Sequence, residues 1–509
     1  MKTAEGSGPR ARAEERAAGA ILALLVALLL VRLAAMALLP LMDTTEARYA
    51  DIARRMADSG DWVTPWIDDG LPFWGKPPLS FWLTAASFKL LGTSEFAARL
   101  PHLLCTVGVI GLVAGLARRS AGEALLAVAL LFGSLGLYVG GAGVMTDPAL
   151  MLGTALAMAG FWVALHGEDG PQRRLGGWAL FGGLAIGLLA KGPIVLVLAC
   201  PPLLLWTLAS RRAAHAWRAL PWLGGLLVTT LLVAPWYLAA EHRTPGFLNY
   251  FLLGEHWHRF VTPGWAGDLY GFAHRRAPGT IWLYALLAVL PWPLLALLLR
   301  RPAGQEPPDD TTVLWQRYLL LWTLWPLIFF TAARNIIWPY VLPSLPAAAL
   351  LGAGWLAARE RQRVLRWVAG GLALTAVACA VALGTGLYRG RFDQESARPV
   401  VRAWQHLRQR GEPLLFVGRR PFSASFYGDG APLQVADAAS AAERIGRGGA
   451  FVAMAGGTAA QPLRDALGGR ELLKAGRFGA FDLIVVEPAS DRVAQPAAAS
   501  TDTARETKP

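Results

Sequence analysis

The chain has 509 residues, of which 54% are hydrophobic and 16% charged, with a formal charge of +13. A soluble protein carries roughly a quarter charged residues, so the shortfall excludes an ordinary water-soluble globule and points to a polytopic helical membrane protein. The positive charge does not indicate nucleic acid, and no such partner is expected: the arginines cluster in short turns between apolar blocks, at Arg173 and Arg174, at Arg211 and Arg212, and at Arg359, Arg361, Arg363 and Arg366, a pattern of cytoplasmic loops.

Residues 1–17 read as a cytoplasmic amino-terminal segment, followed by a first apolar span over 18–40 that is retained, because no small-residue cleavage site follows it. Arg32 lies within that span, where an ionisable group faces the bundle or snorkels outward. A polar, tryptophan-rich outer loop comes next, over 41–78. It opens with Asp43 and continues with Glu46, Arg48, Tyr49, Asp51 and Arg54 on a stretch of helical character. Trp62, Trp66, Trp74 and Trp82 bracket it, suited to the lipid interface or to stacking on sugars. Lys76 stands directly before Pro77 and Pro78, which fix the start of the next helix and hold a cation where a phosphate headgroup would lie.

Further apolar blocks fall at 79–93, 97–117, 122–144, 148–166, 176–190, 192–208, 217–239, 280–299, 315–333, 338–358 and 364–387, which with the first span makes twelve. Arginines before the first span put the amino terminus inside. The loop 41–78, Asp147, Lys191, the loop 240–279 and the Arg334 turn then face outward. Twelve spans would return the chain to the inside, whereas the basic turn at 359–366 requires the segment after the last span to lie outside. Splitting 120–147 at its glycines restores the parity, so about 12–13 transmembrane helices are expected.

Asp147 precedes Pro148 at a junction between blocks, where it can cap a helix or serve as a carboxylate facing the outer surface. Lys191, Gly192 and Pro193 interrupt an apolar run, and a lysine there needs an anion, a pore or an interface; phosphate is the preferred partner. The loop 240–279 holds Glu241, His242, Glu255, His256, His258, Arg259 and His274. Glu255 and His256 are the candidates for a divalent metal ion, although E-H-W-H does not follow the H-E-x-x-H zinc spacing; contacts to phosphate or sugar are the other use. Arg334 and Asn335, followed by Pro339, Tyr340 and Pro343, repeat the arrangement at Lys76. Cys105, Cys200 and Cys379 lie in apolar segments and imply neither disulfide nor thiolate metal site. Over 391–485, short apolar runs alternate with polar helical stretches, which predicts a small α/β domain, and 486–509 has the composition of a disordered tail.

Lysines and arginines offer charge-assisted contacts to phosphate oxygens, while a carboxylate can activate an acceptor hydroxyl or phosphate oxygen. The segments DTTEARYADIARRMADSGDW, GKPPLSFWL, GTSEFAARLP, MTDPAL, LLAKGP, FLLGEHWHRF, LPWPLL and RNIIWPYVLPSLPA succeed one another over residues 40–350. In that order they resemble the polyprenyl-phosphate-sugar-dependent membrane glycosyltransferases of GT-C fold, the bacterial relatives of protein mannosyltransferases that include the lipid A aminoarabinose transferases.

The resemblance implies an all-α polytopic GT-C domain over 18–390 with a small C-terminal α/β periplasmic domain, in a multi-pass protein of the bacterial inner membrane whose active site faces the periplasm. It implies inverting transfer of a sugar, with 4-amino-4-deoxy-L-arabinose as a candidate, from undecaprenyl phosphate to lipid A or another glycolipid, among membrane lipids and with no organic cofactor. The catalytic carboxylate after the first span matches either Asp43 or Glu46, because an adjacent Asp-Glu pair is represented here by Thr45-Glu46. Asp147 matches the acidic residue of the DP segment, Lys76 the lysine before the loop's closing prolines, Lys191 the phosphate-side lysine of the KGP segment, Glu255-His256 the late EH pair, and Arg334 the late basic residue; Arg48, Tyr49, Arg259 and Tyr340 complete the candidate substrate contacts. Gly75 departs from the glutamate usual before the lysine in aminoarabinose transferases. A protein O-glycosyltransferase with a protein acceptor, and a lipid or polysaccharide transporter, are the alternative readings.

Overall fold

The structure, a computed structural model, describes residues 9–117, 121–271, 274–296, 309–409, 411–468 and 470–489. The chain divides into two compact units, Met1–Phe392 and Asp393–Pro509. The first is helical. Among its described residues, seven helices are long and apolar enough to cross a membrane: Arg12–Leu38, Glu95–Leu116, Asp147–His166, Trp222–Arg243, Asp310–Thr331, Trp338–Ala357 and Arg361–Tyr388. Shorter apolar helices run over Leu79–Leu91, Gly122–Phe132 and Ile194–Ala209.

The count differs from the twelve or thirteen expected because two apolar blocks break into pieces, two fold as single helices below spanning length, Leu79–Leu91 and Ile194–Ala209, and Gly170–Lys191 carries Arg173, Arg174 and Lys191. The block at 122–144 stops at Phe132, and the helix that resumes at Leu135 ends at Gly140; a helix of that length rises only about 9 Å, too little for the second crossing that the parity would need. The block at 280–299 likewise divides into Thr280–Ala288 and Trp292–Ala296 around Pro291, which has no N–H to continue the helical ladder.

Two helices set the geometry of the outer-facing groups. Asp147–His166 and Gly170–Lys191 form a hairpin whose turn is capped by Asp169, accepting a hydrogen bond from the backbone of Gln172. Glycines recur along the seam. A Cβ built on Gly153 would stand 2.7 Å from the carbonyl oxygen of Gly183, and one on Gly183 would stand 2.5 Å from the backbone nitrogen of Ala157. Small residues let two backbones approach this closely. Antiparallel packing then returns the end of the second helix to the start of the first, so that Lys191 meets Asp147. Each charge also suits its helix terminus, the carboxylate at an N-terminus and the ammonium at a C-terminus.

Gly183→Val should lower stability by ~3 kcal/mol, near the upper end for overpacking, since backbone rather than a movable side chain fills the space. Thermal unfolding of the purified protein in one detergent measures this. Gly182→Ala, which meets nothing within 4 Å, serves as the control and should unfold at or slightly above the wild-type temperature, because alanine favours the helix.

The first outer loop contains a helix, Thr45–Ser59, and a small antiparallel hairpin of β1 (Trp66–Asp68) and β2 (Leu71–Pro72). Asp51 pairs with Arg54 at 2.8 Å and with Arg55 at 3.2 Å, and Arg55 reaches Asp68 at 3.1 Å. The hairpin is thereby tied to the helix by charge.

In the second unit, β3 (Leu414–Val417), β4 (Leu433–Val435), β5 (Ala450–Ala455), β6 (Leu472–Phe478) and β7 (Phe481–Val486) form one sheet in the order β4-β3-β5-β7-β6. β3 is parallel to β4 and β5, while β7 is antiparallel to β5 and β6. Leu414 and Phe416 pack on one face with Val401 and Trp404, and Leu415 packs on the other with Ala441 and Ile445. The alternation is the period of a strand covered on both sides by helices. β7 runs through Val486, into the segment 486–509 read as a tail; residues 490–509 lie outside the described residues, as do residues 1–8 of the amino-terminal segment.

Candidate active site

The hairpin's ion pair forms one wall of a cavity of about 360 Å³, whose lining includes Lys76, Asp147, Lys191, Glu255, His256, Arg259, Asn335 and Tyr340. Leu150, Ile194, Val197, Leu198, Phe329 and Phe330 supply apolar surface beside them. Seven of the twelve candidate residues named from the sequence therefore meet in one place.

Lys191 Nζ lies 2.6 Å from Asp147 Oδ1, and both residues are buried. The ammonium also sits 4.4 Å from the centre of the Tyr340 ring, a cation–π distance. Gly192, at φ +83°, ends the helix immediately after Lys191, and a Cβ there would meet the Phe251 ring at 2.5 Å. Glycine is thus required by both conformation and space.

A second set of charges faces the same cavity. Glu255 accepts from Lys76 Nζ at 2.8 Å and from Arg259 Nη1 at 3.1 Å at each carboxylate oxygen, while Arg259 also pairs with Asp268 at 3.2 Å. Burial pushes the Glu255 carboxyl up, but Lys76 and then Arg259 outweigh it and bring it down to about 2. Burial likewise pushes Lys76 down, and Glu255 holds it above its ordinary value. Both groups are therefore ionised throughout the neutral range.

His256 Nδ1 is 2.8 Å from the Phe251 carbonyl oxygen and Nε2 is 3.3 Å from that of Lys191. Burial lowers its pKa, so the ring is neutral at neutral pH, and the shorter contact assigns the proton to Nδ1. A divalent cation on Glu255 and His256 would have to displace Lys76 and Arg259 from the carboxylate.

The lowered His256 pKa has a sign for stability. The unfolded chain binds a proton near pH 6.5 that the folded ring resists, so this contribution is complete above about 6.5 and is lost as pH falls toward and through the folded value. His256→Gln should reduce the loss of thermal stability between about pH 7 and pH 5. Parallel melting curves of the two proteins across that window measure the difference.

The remaining candidates lie outside this lining. Asp43 is partly buried just before the helix Thr45–Ser59. Glu46 accepts from Arg99 at 2.7 and 3.2 Å and from the Val144 backbone at 3.2 Å. Burial pushes the Glu46 carboxyl up, but Arg99 outweighs it and the net shift is downward. Arg99 also donates to the carbonyls of Met36, Leu39 and Pro40, so the pair joins the end of the first helix to the loop. Arg48 donates to the Tyr270 carbonyl and lies against Tyr49 and Phe73, while Tyr49 packs edge-on against Phe81. Arg334 is exposed.

Two residues outside the twelve candidates gain importance from the fold. Asn335, next to Arg334, is buried and donates to the carbonyls of Arg259 and Thr262 at 2.6 and 2.8 Å, while accepting from the Gly264 backbone at 3.1 Å. Asp268 holds the far side of Arg259. An amide with both ends engaged signals a positioning role, but nothing in its sequence neighbourhood distinguishes it from the arginine beside it. At Gly75 a Cβ would stand 2.8 Å from Cζ of Phe73, so the Phe73 ring occupies the space that a side chain at this position would use.

The helical unit and the smaller sheet-containing unit together define a GT-C-like polytopic membrane fold. The chain superposes on the crystal structure of ArnT from Cupriavidus metallidurans bound to undecaprenyl phosphate with a TM-score of 0.77, at 20% identity over 92% of this chain and 98% of that one. Residues 18–251 match the family described as dolichyl-phosphate-mannose-protein mannosyltransferase. The chain is also similar to the undecaprenyl phosphate-alpha-4-amino-4-deoxy-L-arabinose arabinosyl transferase 1 of Pseudomonas fluorescens, 34% identical over 65% of this chain and 56% of the relative. With the arabinosyl transferase of Aeromonas salmonicida it shares 32% identity over 68% of this chain and 62% of the relative. It thus spans less than two thirds of the length of these curated relatives.

Proposed function

We propose that this chain is a multi-pass inner-membrane glycosyltransferase that moves a sugar from undecaprenyl phosphate to lipid A or a related glycolipid at the periplasmic face, with 4-amino-4-deoxy-L-arabinose as the candidate sugar. The observation that carries this reading is the gathering of Lys76, Lys191 and Arg259 with Asp147 around a cavity that also offers apolar surface. A phosphate on a lipid chain needs both kinds of wall.

Donor phosphate oxygens compete with Asp147 for Lys191 and with Glu255 for Lys76 and Arg259. As the donor takes Lys191, an Asp147 oxygen is released to the acceptor hydroxyl. The acceptor oxygen bonds to the anomeric carbon as the bond from that carbon to the phosphate oxygen breaks. The phosphate leaves with the electron pair, and the hydroxyl proton passes to Asp147. The cations stabilise the charge developing on the leaving group, the largest electrostatic demand of the reaction. Glu46, held by Arg99, positions the first loop, and Asp43 is the other first-loop carboxylate that the resemblance offers as catalytic.

Mass spectrometry of lipid A and of total envelope glycans, from cells with and without the gene, tests the reading. Loss of a pentosamine increment on lipid A supports it. An unchanged lipid A with a sugar lost from envelope proteins would instead support the protein O-glycosyltransferase, and movement of lipid with no donor consumed would support a transporter.

A further inference from the structure

A second cavity, of about 300 Å³, shares no lining residue with the candidate active site and runs beside the helix Leu345–Ala357 from Leu345 to Leu356. At 1.5 Å per residue that stretch is about 16 Å long, the shape of a chain rather than of a compact solute. Its walls include Leu130, Trp292, Ala348, Gly352, Trp355 and Trp367. Polar groups on one wall are engaged with the protein itself: Trp292 Nε1 donates to the Leu130 carbonyl at 2.7 Å and to Ser134 Oγ at 3.0 Å, and Ser134 donates to the Leu130 carbonyl. An apolar cavity takes hydrocarbon in preference to water, and about 150 Å³ suffices for a benzene-sized ligand.

Charge lies next to one end of the cavity, behind the lining residue Trp355. Trp355 stands in the last turn of Leu345–Ala357 and Trp367 near the start of Arg361–Tyr388; Arg359 lies in the turn between these helices, and Arg361, Arg363 and Arg366 lie in the first two turns of the second. The Arg359 guanidinium lies over the Trp355 ring, 3.1 Å from its centre. Arg361 pairs with Glu14 at 3.1 Å, while Arg366 is exposed. These four arginines outnumber the carboxylates near the turn, Glu14, Glu123 and Glu360. Tryptophans beside an arginine cluster are suited to the headgroup level of a bilayer.

We propose that this cavity is a binding site for one anionic glycerophospholipid, with an acyl chain along Leu345–Ala357 and the phosphate at the arginines between Arg359 and Arg366. The site is distinct from the transfer cavity and does not depend on the transfer reaction.

Native mass spectrometry tests it on the purified protein, released from micelles that contain equal amounts of dioleoyl phosphatidylglycerol and dioleoyl phosphatidylcholine. The wild-type protein should retain one phosphatidylglycerol at about five-fold preference, and Arg366→Gln should remove most of that preference. Ala348→Phe, which fills the cavity, should abolish retention of either lipid at this site. Equal retention of the two lipids by the wild type overturns the proposal, as does an unchanged preference in Arg366→Gln or undiminished retention in Ala348→Phe. Because Arg366 is exposed, its variant decides the question even if Ala348→Phe does not fold.

Discussion

Lys191→Ala should reduce the rate of sugar transfer by about 10²–10³-fold, the loss typical of removing one donor that stabilises developing negative charge. The fall should appear in kcat, because the ammonium meets its full counter-charge only as the phosphate leaves. The substitution also strands Asp147, and an unpaired buried carboxylate costs several kcal/mol, about 3–5 when one partner of a buried pair is removed. The double variant Asp147→Asn with Lys191→Met separates the two effects. It should recover much of the thermal stability while remaining inactive. Recovery of both would mean that the pair serves the fold and not the chemistry.

Glu255→Gln should produce the second largest effect. It removes the charge that holds Lys76 and Arg259 together, and two cations facing one cavity without it repel each other. The shift of the carboxyl from its ordinary value of 4.5 to about 2 corresponds to about 3 kcal/mol in favour of the folded state. Because the folded pKa is the lower one, that contribution is fully present above pH 4.5 and is lost as pH falls through the folded value of about 2. The stability gap between wild type and Glu255→Gln should therefore be constant at neutral pH and close on strong acidification. Chemical denaturation monitored by tryptophan fluorescence at a series of pH values measures the gap. Transfer should also weaken, chiefly through a higher KM for the donor, since the cations lose their fixed positions.

How legible each residue is in the sequence depends on how it acts. Lys76, Asp147 and Lys191 stand out because each lies beside a proline at the edge of, or within, an apolar run, and a charge at such a place needs a reason that can be read locally. Their partners cannot be read this way. Lys76 meets Glu255 across 179 positions of chain, and Lys191 meets Asp147 across 44; the second pairing depends on the close glycine seam between two helices. Glu46 has the setting of a catalytic carboxylate, and only the fold brings Arg99 to it from a different helix. Arg334 and Asn335 are neighbours with opposite fates, one exposed and one buried, because the turn points only the amide toward the Arg259 carbonyl. The helical blocks themselves are visible from hydropathy, but their breaks at Phe132 and Pro291 alter how many of them reach spanning length. In the second unit, the alternation of Leu414, Leu415 and Phe416 across two faces is legible as strand, whereas the sheet order is not.

The most direct measurement is transfer by the purified protein reconstituted in liposomes, with undecaprenyl phosphate-linked 4-amino-4-deoxy-L-arabinose as donor and lipid A as acceptor, read by mass spectrometry of both lipids. Donor consumption should be matched by pentosamine-modified lipid A, with Lys191→Ala slower by about two orders of magnitude or more. Full activity in Lys191→Ala, or no consumption of this or any other undecaprenyl-phosphate sugar by the wild-type protein, would contradict the proposed transfer.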